Sequence, residues 1–221
     1  MILVLRPEPG AGETVHRLRE RGIEAIAAPL FTVAPVAWQA PDPAAFDALL
    51  LTSANAVRHG GDQLGKLRGL PVHAVGEATA AAARDAGFGV ASSGDAGVDR
   101  LLASIDQELR LLHLCGKDWR EPVDAPQQIT RIAVYQATPV EFPDLRSAKG
   151  SVALIHSPRA AARFAELIAL PDRASIAVAA ISNAAAAAAG AGWKHVEAAA
   201  QPSEEALLAL AARLCQKSAA T

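Results

Sequence analysis

Residues 72–88, VHAVGEATAAAARDAGF, decide the fold class of this chain. A hydrophobic run leads into Gly76 and Glu77, an alanine-rich segment follows, and Gly87 closes it. This order predicts a strand, a tight turn, a helix and a glycine cap, which together form one βα unit. The preceding stretch, LLTSANAVRH at residues 50–59, begins in the same way.

The same plan occurs a second time further along the chain. ALIHSPRAAARF at residues 153–164 resembles the shorter stretch, and IAVAAISNAAAAAAGAGW at residues 176–193 resembles the longer one. The helical pattern VDRLLASI at residues 98–105 corresponds to EEALLAL at residues 204–210. A repeated supersecondary plan predicts two α/β domains, each with a parallel sheet, helices on both faces and right-handed crossovers.

Composition sets limits on the class of protein. The chain has 221 residues, of which 51% are hydrophobic and 20% charged, so it can bury a core and is not a disordered protein. A net charge of −2 predicts no general attraction to nucleic acid or to a membrane. Arg6 and Pro7 directly follow the apolar run of residues 1–5, which does not fit a signal peptide, and we expect a cytoplasmic protein.

Two extended segments interrupt the βα pattern, FTVAPV at residues 31–36 and IAVYQATPV at residues 132–140. A tandem arrangement would divide the chain into residues 1–107 and 108–221. An interleaved arrangement is favoured, because two strands that pass together between domains can pair with each other. Its expected parts are domain A, residues 1–33 plus 141–221; domain B, residues 37–132; and linker strands at 34–36 and 133–140.

The turns that follow the predicted strands are candidate binding elements. In parallel sheets, ligands bind beyond the carboxyl ends of the strands. Small or hydroxyl residues open the helices here, and helix N-termini present backbone N–H groups to anions. N-capping of the helices is the alternative explanation for Ser53 and Ser157.

Several familiar kinds of chemistry find no support in the sequence. No dinucleotide-binding or P-loop glycine pattern and no nucleophile-elbow serine follows a strand. The six histidines lack metal-ligand spacing, so we do not expect a metal site. Cys115 and Cys215 have no CxxC partner and are expected to be ordinary thiols.

Tyr135 is the only tyrosine and lies in the second extended segment. A hinge between two domains would bring that segment beside the cleft, where a phenol can donate a proton. The alternative is a core aromatic residue whose hydroxyl is bonded to the backbone.

Four stretches together resemble one known family. LLLTSANAV, VHAVGEATAAAARDAGF, AVYQATP and ALIHSPRAAARF, in this order and spacing, are similar to uroporphyrinogen-III synthases. The resemblance implies two interleaved, flavodoxin-like domains joined by a two-stranded linker, in a monomer. It also implies a cofactor-free reaction in which hydroxymethylbilane closes to uroporphyrinogen III, with loss of water and inversion of ring D.

The resemblance also implies roles for single residues. The family's functional tyrosine falls on Tyr135, its G-x-A-T threonine on Thr79, and the serines of two turns on Ser53 and Ser157. A further threonine of the family's last domain is missing from ISNAA at residues 181–185, where only Ser182 or Asn183 could replace it. This departure suggests that backbone amides do most of the binding.

Hydroxymethylbilane carries eight carboxylates, which helix N-termini and a few cations could bind without a basic protein overall. The cationic candidates are Arg6, Arg58, Lys117 and Arg159. The complete set of expected substrate-binding residues is Arg6, Ser53, Asn55, Gly76, Thr79, Lys117, Ser157, Arg159 and Ser182, with Tyr135 as the catalytic residue. Two rival functions remain open, a two-lobed module that binds a small polyanion without chemistry and a nucleotide-sugar transferase.

Overall fold

The computed structural model describes residues 1–94, 97–119, 121–123 and 125–219. The chain forms two compact units: unit 1 contains residues 1–32 and 139–221, and unit 2 contains residues 33–138. The strands are β1 (Ile2–Val4), β2 (Ala25–Ala27), β3 (Phe31–Pro35), β4 (Ala48–Leu51), β5 (Val72–Val75), β6 (Val90–Gly94), β7 (Arg110–Gly116), β8 (Gln128–Pro139), β9 (Val152–Ile155), β10 (Ala177–Ala180) and β11 (His195–Ala198). The α-helices are α1 (Gly10–Glu20), α2 (Ala54–His59), α3 (Glu77–Asp85), α4 (Val98–Ala103), α5 (Pro158–Leu167), α6 (Leu170–Arg173), α7 (Asn183–Ala189) and α8 (Glu204–Ala219), and Pro43–Ala45 and Gly61–Leu67 form 3₁₀ turns.

The sheet of unit 1 is parallel and has the spatial order β2-β1-β9-β10-β11. Its central strands are short apolar runs because helices cover both faces. Ile2 and Val4 of β1 point to α1 and α8, where Leu18 and Leu207 are fully buried against them. Counted along unit 1, the strand order is 2-1-3-4-5.

The sheet of unit 2 has the order β3-β8-β7-β4-β5-β6, with parallel pairing from β8 through β6. Leu49 and Leu51 lie on the face of β4 that packs against α3. Leu50 lies on the opposite face and packs against Leu101 and Leu102 of α4. The spatial order β8-β7-β4-β5-β6 in unit 2 corresponds to the order β2-β1-β9-β10-β11 in unit 1, so that β7 takes the place of β1 and β8 the place of β2. Unit 2 therefore has the same spatial plan, but the chain enters it at the third strand.

The predicted α/β class with parallel sheets and flanking helices is confirmed. Two strands were missed, β6 and β11, because both lie at sheet edges and are only partly buried. The helical pattern at residues 98–105 forms α4, which ends at Ala103 because the Ser104 hydroxyl donates to the Leu101 carbonyl at 2.7 Å and closes the last turn. The expected linker residues 133–135 are also part of the sheet, since Ala133 and Tyr135 pair with β7.

Candidate functional site

The carboxyl edge of the unit 2 sheet carries a cleft of about 180 Å³. β4 and β7 end at this edge, and Ser53 begins α2 here by accepting a hydrogen bond from Asn55 N at 3.2 Å. The cleft is lined by Thr52, Ser53, Val98, His113, Cys115, Gly116, Asp118, Trp119 and Tyr135. The predicted residues Tyr135 and Ser53 therefore lie in one site.

Tyr135 is half-buried in this cleft. Its hydroxyl hydrogen-bonds to the Ser53 side chain and receives the Gly116 N–H. Burial raises the pKa of Tyr135 above its ordinary value of 10.0, although the bonds to Ser53 and Gly116 act in the opposite direction. The phenol is therefore protonated at neutral pH and can act as a proton donor.

His113 is a residue of this cleft that the sequence analysis missed. It is 2% exposed, and its Nε2 lies 3.0 Å from Thr52 Oγ1. Its Nδ1 is buried and has no hydrogen-bond partner among the described residues. Burial and the nearby charge of Arg131 lower the pKa of His113 to about 4, so the ring is neutral at pH 7.

The other predicted residues of unit 2 differ in their solvent exposure. Gly76 has φ 83°, a left-handed conformation that favours glycine, and its carbonyl accepts from Ala80 N at 3.1 Å to start α3. Thr79 follows in the first turn but is only 5% exposed. Lys117 is exposed, and its backbone N–H donates to the Tyr135 carbonyl at 2.9 Å. Cys115 is a buried free thiol whose pKa is raised by burial, as expected for an ordinary thiol.

In unit 1, the two predicted serines cap helices. Ser157 Oγ accepts from Ala160 N at 3.1 Å at the start of α5, and Ser182 Oγ accepts from Ala185 N at 3.3 Å at the start of α7. Arg159 lies on the first turn of α5, and its guanidinium carbon is 4.5 Å from the centre of the Phe31 ring. The capping explanation accounts for the serine hydroxyls and leaves other backbone N–H groups of the first turns to bind an anion.

Arg6 belongs to a side-chain cluster that we call the Glu204 cluster, formed by Arg6, Thr14, His156 and Glu204. Glu204 receives the Thr14 hydroxyl at 2.6 Å, lies 3.0 Å from His156 Nε2, and pairs with Arg6 Nη1 at 3.2 Å. The guanidinium also packs on Gly10, where an added Cβ would lie 2.6 Å from Arg6 Nε. Arg6 is thus held in one orientation at the carboxyl end of β1.

The surroundings of Glu204 favour the ionised form of its carboxyl group. Burial raises the pKa of Glu204, but the bonds from His156 and Thr14 and the charge of Arg6 outweigh it and lower the pKa to about 2. Burial lowers the pKa of His156. Thr14, His156 and Glu204 were not predicted from the sequence, although His156 directly follows β9 and Glu204 opens the repeated EEALLAL helix.

The described residues contain neither a candidate metal site nor a membrane-spanning helix. No group of three or more His, Cys, Asp or Glu residues there could hold a metal ion. None of the described helices combines the length and the apolar character needed to cross a bilayer.

Several solved structures are similar to this chain, among them the two that follow. Uroporphyrinogen-III synthetase from Helicobacter pylori is 20% identical, with a TM-score of 0.63 over 96% of this chain and 98% of the other. A mutant uroporphyrinogen III synthase from Thermus thermophilus is 17% identical, with a TM-score of 0.54 over 98% and 99% of the two chains. At these identities, the likeness establishes a shared fold.

Comparison with curated proteins finds no match for the chain. The family model described as "Uroporphyrinogen-III synthase HemD", in contrast, matches residues 12–209. That match includes most of both units and all four stretches on which the resemblance rests. The chain belongs to the uroporphyrinogen-III synthase family.

Proposed function

We propose that Tyr135 is the proton donor in the cyclisation of hydroxymethylbilane, and that both sheet edges bind carboxylates of this substrate. Family membership assigns the reaction class, a cyclising lyase of tetrapyrrole biosynthesis. The observation that carries the residue assignment is the setting of the phenol, which is half-buried, protonated at neutral pH and hydrogen-bonded at the carboxyl edge of unit 2.

The phenol would act when the hydroxyl group of ring A leaves. The C–O bond breaks, the oxygen departs as water with the proton of Tyr135, and the pyrrole electrons form a protonated azafulvene. Inversion requires that the substituted α-carbon of ring D attacks this electrophile and that its bond to the original methylene bridge then breaks. The released bridge carbon bonds to the other α-carbon of ring D, and the proton lost from that α-carbon restores the phenol. The phenol carries its proton at neutral pH, as a general acid must before the transfer, and its hydrogen-bonded position at the sheet edge supports this role.

The main task of the protein would be to select the inverted product. A hundredfold preference for isomer III over isomer I corresponds to about 2.7 kcal/mol between two transition states. Orientation of the bound substrate can supply a difference of this size. No strongly activated side chain is needed, which fits a site built largely from backbone amides.

The substrate's carboxylates would be held by few side chains. In unit 1, Arg6 is fixed by Gly10 and Glu204, and Arg159 stands on the first turn of α5 beside Ser157. Ser182 opens α7 in the same unit. In unit 2, the proposed groups are the first turns of α2 and α3, with Ser53, Asn55, Gly76 and Thr79, together with Lys117. Local cations and helix N-termini of this kind bind carboxylates in a protein with a net charge of −2.

The finer architecture and state of the enzyme belong to the same proposal. We propose two interleaved flavodoxin-like domains, supported by the 2-1-3-4-5 strand order of unit 1 and its re-entered counterpart in unit 2. We further propose a monomer without a cofactor that works in the cytoplasm, where a substrate with eight carboxylates is dissolved. Sedimentation equilibrium of the purified protein measures its molar mass in solution and so tests whether it is a monomer.

The deciding experiment is product analysis. The protein is added to freshly prepared hydroxymethylbilane, and the isomers of uroporphyrinogen are separated after oxidation to porphyrins. We expect isomer III with the active protein and isomer I with heat-denatured protein. Isomer I alone in both samples, with tight binding of the tetrapyrrole, would instead identify a polyanion-binding module.

A further inference from the structure

The backbone of Gly116 lies unusually close to the side chain of Tyr135. A Cβ atom placed on Gly116 would lie 2.7 Å from Cε2, 2.8 Å from Cζ and 3.1 Å from the hydroxyl oxygen of Tyr135. Real Cβ atoms do not approach a neighbour this closely. The tyrosine ring therefore occupies the space that a side chain at position 116 would need.

A bulge in the sheet brings the two residues together. Along β7 and β8, Cys115 pairs with Ala133, but Gly116 pairs with Tyr135, so Val134 is the extra residue. In a regular strand, Val134 and Tyr135 would point to opposite faces. Here both pack against the same core cluster of unit 2, which also includes Ile132. The bulge thus turns the Tyr135 side chain toward that face, a known effect of bulges beside functional sites.

The backbone of β7 then fixes the hydroxyl group. The Gly116 N–H donates to the phenol oxygen, and the Ser53 side chain forms a second hydrogen bond. The next residue, Lys117, donates its N–H to the Tyr135 carbonyl at 2.9 Å and closes the register after the bulge. Both the ring and the hydroxyl of Tyr135 consequently depend on the absence of a side chain at position 116.

We propose that Gly116 is a positioning residue for Tyr135, and that the bulge at Val134 sets the direction in which the phenol presents its proton. Gly116 acts through the tyrosine and makes no contribution through a side chain of its own. This inference rests on the proposed role of Tyr135 as the proton donor.

The test uses the Gly116→Ala variant of the full chain, and it has a readout besides activity. Tyr135 is the only tyrosine, so tyrosine labelled with ¹³C at Cζ gives one NMR signal whose pH titration reports this phenol alone. The added methyl should push the ring outward, and because burial is the largest cause of its raised pKa, the pKa should fall toward 10.0. Turnover (kcat) should fall roughly tenfold or more, with KM changed by less than about twofold.

A double-mutant cycle separates positioning from general damage to the fold. In the Tyr135→Phe background there is no proton donor to misplace, so Gly116→Ala should change kcat by less than about twofold. Gly94→Ala is the matched control, since Gly94 also ends a strand of the same sheet. Among the described residues, an added Cβ there meets only Leu101 Cδ1, at 3.9 Å. It should leave the titration and the turnover unchanged.

The outcomes are distinct. If Gly116→Ala does not fold, the Gly116→Ala, Tyr135→Ala double variant should fold, because removing the ring removes the clash; failure of that variant as well would overturn the proposal. An unchanged Tyr135 titration, or an equal loss of kcat with and without the hydroxyl, would also overturn it. If Tyr135→Phe itself has no effect on turnover, the proposed function of the tyrosine is wrong, whereas the titration still reports whether Gly116 positions it.

Discussion

Arg6 Nη1 lies 3.2 Å from Glu204 Oε2, although 198 positions separate the two residues in the chain. Thr14 and His156 bond to the same carboxylate, so side chains from three distant segments of unit 1 meet at one charged group. Glu204 therefore both holds the N-terminal part of unit 1 against its C-terminal part and orients the arginine that we propose for carboxylate binding.

Replacement of Glu204 by Gln should destabilise the protein at pH 7 by about 2 kcal/mol, because hydrogen bonds to a charged, partly buried acceptor are lost. The pKa of Glu204 is lowered from 4.5 to about 2, so its stabilising effect is complete above pH 4.5 and disappears as the pH falls toward 2. Urea unfolding of both proteins at pH 7 and at pH 3 should therefore show a smaller difference at the lower pH.

Glu205→Gln is the control for that measurement. Its carboxylate pairs with Arg21 at 2.7 Å, but the Glu205 side chain is 78% exposed. Exposed ion pairs contribute about 1 kcal/mol or less. Equal losses of stability in the two variants at pH 7 would contradict the central role of Glu204.

Replacement of Tyr135 by Phe should reduce kcat by about a hundredfold, the scale of a lost general acid. The free energy of unfolding should fall by only about 1 kcal/mol, since one hydrogen-bonded hydroxyl is removed and the ring stays in place. Stopped-flow conversion of hydroxymethylbilane, with urea unfolding of the same sample, measures both. Unchanged turnover would remove Tyr135 from the mechanism.

Replacement of Thr79 by Ala should reduce turnover less than Tyr135→Phe does. Thr79 is 5% exposed, so its hydroxyl offers little surface to a substrate, whereas the backbone at the start of α3 is unchanged by the substitution. Steady-state rates of the two variants provide the comparison. A folded Thr79→Ala protein without activity would show that a side chain, and not the backbone, dominates binding at this turn.

His113 should make stability depend on pH on the acidic side of neutrality. Its pKa is lowered from 6.5 to about 4, so the unfolded chain takes up a proton that the native site refuses, and native stability falls as the pH drops through this interval. The slope for one such group reaches about 1.4 kcal/mol per pH unit. Urea unfolding between pH 7 and 4.5 should give a shallower pH dependence for His113→Gln than for the unmodified protein. An identical slope would show that the native fold does not lower the pKa of His113.

Local signals predicted the recurring βα elements well. Ser53, Ser157 and Ser182 each stand between a buried strand and an alanine-rich segment, and each caps a helix through its own hydroxyl. Weakly patterned elements at sheet edges were not found in this way, as the Ser-Ser-Gly end of β6 illustrates. Such strands form because a neighbouring strand offers hydrogen bonds, and this is not encoded in their own composition.

The sequence by itself determined the α/β class, the repeated plan and the position of the helix caps, because each of these depends on neighbouring residues. The family pattern in the sequence also led to the proposal that Tyr135 is the proton donor. Only the tertiary structure decided which distant side chains meet. Arg6 with Glu204, Tyr135 with Gly116, and Thr52 with His113 are brought together by strand register and by one bulge. Register across a sheet depends on pairing between remote segments, and for that reason no local pattern of residues could predict these contacts.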